Sequence, residues 1–142
     1  MYFVIIGAGL IGTTLAKWLV AADHEIVVID RDPVNCSSLE DELGSVTVVG
    51  DGTEEGVLMK AGANRADVLV AATNSDEDNL VACQMAKYRF GVDRIVALIN
   101  IPDHERLFDL LGIGLTINVA DLVINKIQEE LSGLLIEEID SL

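Results

Sequence analysis

Short apolar runs alternate with longer stretches of helical periodicity along the whole chain. Tyr2–Ile6, Ile26–Ile29, Val46–Val49, Val68–Ala71, Ile95–Ile99 and Leu115–Val119 are dominated by Val, Ile and Leu. Continuous apolar runs of this length predict strands covered on both faces, since a half-exposed strand would alternate with polar residues. Between them, Leu10–Ala22, Val34–Leu43, Glu54–Ala61, Asp76–Phe90 and Asp103–Leu111 carry apolar residues at helical spacing. In Asp76–Phe90 the expected buried face includes Val81 and Met85, bounded by Leu80, Cys83 or Gln84, and Lys87. Regular alternation of strand and helix predicts an α/β fold with helices on both sides of a parallel sheet. Right-handed crossovers make a Rossmann-like, doubly wound sheet of six strands the simplest topology.

Local signals place the helix ends. Ser75 precedes Asp76-Glu77-Asp78, a capping-box pattern, and Thr53 similarly precedes Glu54-Glu55. Acids in a first turn suit the positive end of a helix and need no metal to explain them. After the last strand, Ala120–Leu131 reads as a sixth helix with Leu122, Val123, Ile127 and Leu131 on one face. Ser132-Gly133 then leads into an apolar tail, Leu134–Ile139. That tail either folds back on its own sheet or joins a partner or a further domain.

Composition narrows the class. The chain has 142 residues, which fits one domain. Hydrophobic residues make up 51% and the mean hydropathy is +0.43, so the composition is that of a folded chain rather than a disordered one. No apolar run approaches the roughly 18–20 residues of a membrane span, and the first strand has no basic leader. Nine Lys and Arg face 24 Asp and Glu, for a net charge of −15. Such a surface repels phosphate backbones and anionic lipid heads, so nucleic acid and direct membrane insertion are poor expectations. Cys36 and Cys83, 47 positions apart, read as two reduced thiols of a cytosolic protein. His24 and His104 have no ligand-like spacing, so no metal site is expected. His104 reads as a surface residue without an orienting partner.

The strongest chemical signal is Gly7-Ala8-Gly9-Leu10-Ile11-Gly12, which follows the first strand and opens the first helix. That context makes a G-x-G-x-x-G run meaningful. Gly7 permits the tight turn, Gly9 lets the backbone approach a pyrophosphate, and Gly12 lets the helix pack close to the sheet. The helix N-terminus then offers N–H groups to the phosphates. Asp30 ends the second strand, 18 positions after Gly12, close to the roughly 20 expected for the acid that holds an adenosine ribose. A carboxylate there repels a 2′-phosphate and favours NAD(H) over NADP(H). Arg31 beside it could receive a phosphate, lie over the adenine or point to solvent. The third and fourth strands end in Gly50-Asp51-Gly52-Thr53 and Ala71-Ala72-Thr73-Asn74, at carboxyl ends where open α/β sheets bind ligands. Asp51 could accept from the adenine amino group and Thr73 could line the phosphate side; a turn or a cap explains each equally well. No Tyr-x-x-x-Lys pair and no Cys/His nucleophile pair accompany these residues. A nucleotide site is therefore expected and a catalytic one is not.

The ordered set of Gly7–Gly12, Val28–Asp32, Gly50–Thr53, Ala61-Gly62-Ala63, Val70–Leu80 and Leu107–Ile113 resembles the N-terminal nucleotide-binding domain (KTN or RCK) of Trk/Ktr potassium-uptake regulators. The resemblance covers about residues 1–131. It implies a cytoplasmic, non-enzymatic domain that forms a homodimer or a larger ring beneath a membrane-embedded potassium-translocating subunit. Nucleotide binding would change the ring and so gate the pore, and the helix after the last strand would cross to a partner subunit. Members bind NAD(H), or ATP, ADP and AMP-like ligands. Relatives often carry an Arg in the glycine loop, where Leu10 and Ile11 stand here, and another in the fifth strand, here Val96–Asn100. Without those cations a dinucleotide, NAD+ or NADH, or an AMP-like ligand is expected over the terminal phosphates of ATP. The resemblance also implies a smaller C-terminal domain, toward which residues 132–142 would form a tail or linker. The competing reading is an NAD-dependent oxidoreductase fragment separated from its substrate domain.

Overall fold

The structure, a computed structural model, describes residues 1–133. The elements run β1 (Tyr2–Ile6), α1 (Leu10–Ala21), β2 (Glu25–Asp30), α2 (Pro33–Leu43), β3 (Thr47–Val49), α3 (Glu55–Lys60), β4 (Val68–Ala71), α4 (Asp76–Tyr88), β5 (Arg94–Ile99), α5 (Glu105–Leu111), β6 (Leu115–Asn118) and α6 (Val119–Glu130). Short 3₁₀ turns at Ala63–Arg65 and Pro102–His104 complete the chain. The six strands form one sheet in the order β3-β2-β1-β4-β5-β6, every pair parallel. This is the expected doubly wound, Rossmann-like α/β sheet, and its strand order reverses between β1 and β4.

Each face has its own core. Ile5, Val28, Ala16, Leu19 and Leu39 join α1 and α2 to one face. Val4, Ile6, Leu69, Leu58, Ala82 and Phe108 join α3, α4 and α5 to the other. Two-sided burial is why β1, β2 and β4 read as unbroken apolar runs. Cys36 on α2 and Cys83 on α4 lie on opposite faces, both buried and unbridged. Burial pushes the Cys83 thiol up to about 12, so it stays protonated.

The ends of the helices follow local chemistry. Asp32 accepts from the Val34 N–H and Pro33 stands at the first helical position of α2. The Ser75 hydroxyl accepts from the Asp78 N–H at 3.2 Å, as its spacing predicts. Thr53 does not cap α3. That helix begins after Glu54 with no side-chain cap, and the Thr53 hydroxyl instead donates to Asp51 Oδ1 at 2.6 Å.

One expected helix face is corrected. The buried residues of α4 are Asp76, Asn79, Ala82, Cys83 and Ala86, while Val81 is 40% exposed and Met85 only half-buried. The sheet-facing side thus includes two polar residues, which find partners there. On α6 no residue is buried, and Leu122, Val123, Ile127 and Leu131 are all exposed. Its apolar face is real but turns away from its own sheet. The apolar tail Leu134–Ile139 lies outside the described residues.

Candidate nucleotide site

The strand registers bring the carboxyl ends into one line: Ile6 pairs with Ile29 and with Ala71, Asp30 with Val49, and Ala71 with Ala97. Loops leaving this edge flank the crevice at the switch point, where open α/β sheets take their ligands. Two adjoining cavities open there. One, of about 170 Å³, is bounded by Gly7, Asp30, Arg31, Gly50, Asp51, Gly52, Thr53, Thr73, Asn74 and Asp78, with Ile6 and Ile29 at its base. The other, of about 400 Å³, is bounded by Gly7, Gly9, Leu10, Ile11, Asp30, Asn35, Ala72, Thr73, Asn74 and Asn100. They share Gly7, Asp30, Thr73 and Asn74.

The glycine loop is explained glycine by glycine. Gly7 has φ +108°, and a Cβ there would stand 2.8 Å from the Ala72 carbonyl oxygen. A Cβ on Gly12 would lie 1.9 Å from the Gly7 carbonyl oxygen, so the loop and α1 could not approach. Gly9 is different, because a Cβ there would meet no protein atom within 4 Å. Nothing in the fold demands a glycine at that position, while a ligand laid against the backbone would. The helix end beside it is also open: Gly9 provides no side-chain cap and α1 has no acid in its first turn. These features fit a pyrophosphate.

Asp30 sits at the end of β2, half-buried. Its Oδ2 accepts from the Ala8 N–H at 2.7 Å and its Oδ1 from the Asp32 N–H at 2.8 Å. The carboxylate therefore clamps the glycine loop while keeping lone pairs free for ribose hydroxyls. Ala8 and Gly12 line neither cavity; they shape the loop from behind. Gly52 lines the smaller cavity, but a Cβ there would stand 2.4 Å from Ile6 Cγ2, so packing alone requires its glycine.

Arg31, largely exposed, is paired with two acids. Its Nη2 bridges Asp51 Oδ2 at 2.9 Å and Asp78 Oδ2 at 3.1 Å across the rim of the smaller cavity. The Thr53 hydroxyl and N–H, with Arg31, hold the Asp51 carboxyl below its usual range. Thr73 is engaged as well: its hydroxyl donates to Asn79 Oδ1 at 2.6 Å. Among the described residues bounding the larger cavity, the only charged one is Asp30.

Asn100, which the sequence pattern did not assign to the site, bounds the larger cavity, and Asp76 and His104 anchor the loop it belongs to. Asp76, 7% exposed, accepts from the N–H groups of Asn100 at 2.8 Å and Ile101 at 2.9 Å. His104 Nδ1 lies 2.9 Å from the same carboxylate, so His104 does have an orienting partner. Burial alone would raise the Asp76 pKa; the two N–H groups, His104 and the Asn100 amide outweigh it and hold it below the carboxylate range. Asn100, first past β5, had a usable signal, since the same carboxyl-end rule that selected Thr73 applies to it.

The sheet order, glycine loop and carboxyl-edge crevice define a Rossmann-like domain. The TrkA-N domain family model matches residues 3–125, and the chain belongs to that family. It is 37% identical over 113 residues to the "Trk system potassium uptake protein TrkA homolog" of Methanothermobacter thermautotrophicus, covering 80% of this chain and 52% of that protein. It is 35% identical over 137 residues to "Trk system potassium uptake protein TrkA" of Haemophilus influenzae, covering 95% and 30%. The chain thus spans about half the first relative and under a third of the second. Among solved structures, "Shewanella denitrificans Kef CTD in AMP bound form" superposes with a TM-score of 0.77 at 25% identity, covering 93% of this chain and 80% of that one. The "GsuK channel bound to NAD" gives 0.74 at 26%, covering 83% and 21%. The "GsuK bound to ADP" gives 0.73 at 28%, covering 92% and 34%.

Proposed function

We propose that this domain binds NAD(H) at the switch-point crevice and passes that occupancy to a membrane-embedded potassium-translocating subunit as a regulatory signal. The observation that carries this reading is the open N-terminus of α1 beside Gly9, with the Asp30 carboxylate hydrogen-bonded to the glycine loop at the end of β2. Relatives named as potassium-uptake proteins support the regulatory role. Neighbours named as bound to AMP, NAD and ADP support an adenine nucleotide as ligand. The dinucleotide is preferred because no Lys or Arg among the described residues bounds the larger cavity, so the extra charge of a triphosphate would meet no cation.

In this reading Gly7, Gly9 and the first turn at Leu10 and Ile11 receive the pyrophosphate, and Asp30 holds the adenosine ribose. Asp51, Thr53 and Arg31 surround the adenine, and Ala72, Thr73 and Asn74 form the opposite wall. The ligand shifts the gate only as far as it binds one assembly state better than the other. The exposed apolar face of α6 suits a homodimer or a ring of such domains. Residues 1–131 form the domain, and 132–142 a tail or linker. The domain would work on the cytoplasmic side, held at the membrane through its partner; among the described residues no helix is long and apolar enough to cross one.

Calorimetry against NAD+, NADH, AMP, ADP and ATP at one ionic strength tests this. NAD(H) is expected to bind without turnover, and Asp30→Ala to weaken it at least about tenfold, as for a hydrogen bond to a charged group. Tighter binding of ATP would keep the site and overturn the dinucleotide assignment. Hydride transfer would favour the oxidoreductase reading.

A further inference from the structure

Asn100 is held in one orientation by two groups that can only accept. Its Nδ2 donates to the Thr73 carbonyl oxygen at 3.0 Å and to Asp76 Oδ1 at 2.8 Å. A primary amide has two N–H donors, and both are engaged here. Flipping the amide would set its oxygen against a carbonyl and a carboxylate, so that orientation is excluded. Asp76 cannot turn to relieve the constraint, because Asn100 N, Ile101 N and His104 Nδ1 hold it as well. The Asn100 carbonyl oxygen is thereby left without a hydrogen bond among the described residues, on an exposed side chain bounding the larger cavity.

That oxygen can only receive a hydrogen bond. A ribose hydroxyl or a carboxamide N–H can supply one. A phosphoryl oxygen cannot, since it too is an acceptor. Beyond the open end of α1, the cavity adds no cation among its described lining residues for further phosphates.

We propose that Asn100 reads the second half of the ligand: its Oδ1 accepts from a hydroxyl or amide donor of the nucleoside lying over β4 and β5, and so separates a dinucleotide from an adenine nucleotide extended by phosphates. The proposal rests on the NAD(H) reading above. The adenosine half, gathered around Asp30 and Asp51, does not involve Asn100.

The 142-residue chain and its Asn100→Ala variant are titrated with NAD+, AMP and ATP. The variant is expected to lose roughly three- to tenfold in NAD+ affinity, the size of one neutral hydrogen bond. AMP affinity stays within about twofold, so the preference for NAD+ over ATP narrows. AMP binding and a thermal melt report whether the variant folds; Asn100→Leu, close in volume, is the second variant should alanine loosen the loop. Equal losses for AMP and NAD+ would reduce Asn100 to a support of the loop and overturn the proposal. Unchanged NAD+ affinity would overturn it as well. Failure of the underlying reading shows separately, in the unsubstituted chain: no NAD+ binding, or tighter ATP binding, removes the dinucleotide before any variant is compared.

Discussion

Helix α1 begins after Gly9 with no side-chain cap and no acid in its first turn, whereas α4 begins after Ser75 with a hydroxyl cap and Asp76, Glu77 and Asp78 in its first turn. Both start at the carboxyl edge of the same sheet, from the neighbouring strands β1 and β4. Both end in the same partial positive charge and unpaired N–H groups. The chain answers this charge within the helix at α4, whereas at α1 the helix supplies neither cap nor acid and the Asp30 carboxylate reaches only the Ala8 N–H before it. The acids of α4 are also divided in use: Asp76 grips the loop after β5, and Asp78 pairs with Arg31. The difference teaches that fold alone does not make an anion site. In the proposed function the end of α1 serves as one because the sequence withholds its own caps and the side chain that would stand in the way.

The comparison breaks most severely at Gly12. Gly12→Val would drive a branched side chain into the Gly7 carbonyl, at 1.9 Å already for its Cβ. A loss of more than about 3 kcal/mol is expected in urea unfolding, with the open N-terminus of α1 lost along with the packing. A native-like midpoint would show that the close approach of loop and helix is not needed.

At α4 the largest effect belongs to Asp76. Asp76→Ala leaves the Asn100 and Ile101 N–H groups without their acceptor and should cost about 2–4 kcal/mol, read from denaturant midpoints. The pH dependence has a definite sign. The native Asp76 carboxyl titrates below its ordinary value of 3.8. Its contribution is therefore full above about pH 4 and is lost as the pH falls through the lower native value. Asp76→Asn should flatten that part of the acid-unfolding curve. An unchanged slope would mean that other carboxylates carry it.

Smaller effects sharpen the contrast. Ser75→Ala removes the α4 cap and should cost about 1 kcal/mol in thermal unfolding while leaving nucleotide affinity within twofold. Leu10→Glu does the reverse, giving α1 an acid at a position that is 84% exposed. It should leave stability unchanged or raise it by up to about 1 kcal/mol, and lower NAD(H) affinity roughly two- to fivefold in calorimetry. Undiminished affinity would indicate that the open end of α1 is not where the ligand's phosphates lie.

The fold was legible because its determinants repeat locally. Val and Ile runs mark β1, β2 and β4, and the glycine spacing marks the turn into α1. The misplaced face of α4 shows the limit of such patterns. Asn79 is fully buried, its amide donating to the Thr73 and Leu98 carbonyls at 3.1 and 3.0 Å. Counting apolar positions rejects such a residue, because its burial is stabilised by carbonyls that only the folded loops supply. The fate of the α6 face was equally hidden. Its periodicity marks an apolar stripe and says nothing about which surface meets it.

By itself the sequence determined what depends on neighbours along the chain: six strands, the glycine loop, the Ser75 cap, and the acid that ends the second strand. Only the tertiary structure decided the pose of Arg31, the grip of Asp76 on Asn100 and His104, and the orientation of the Asn100 amide. Those partners stand 20 to 47 positions apart in the chain. A hydrogen bond forms only when both groups arrive within about 3 Å, and at such separations the packing of the sheet, not the local chain, sets that distance.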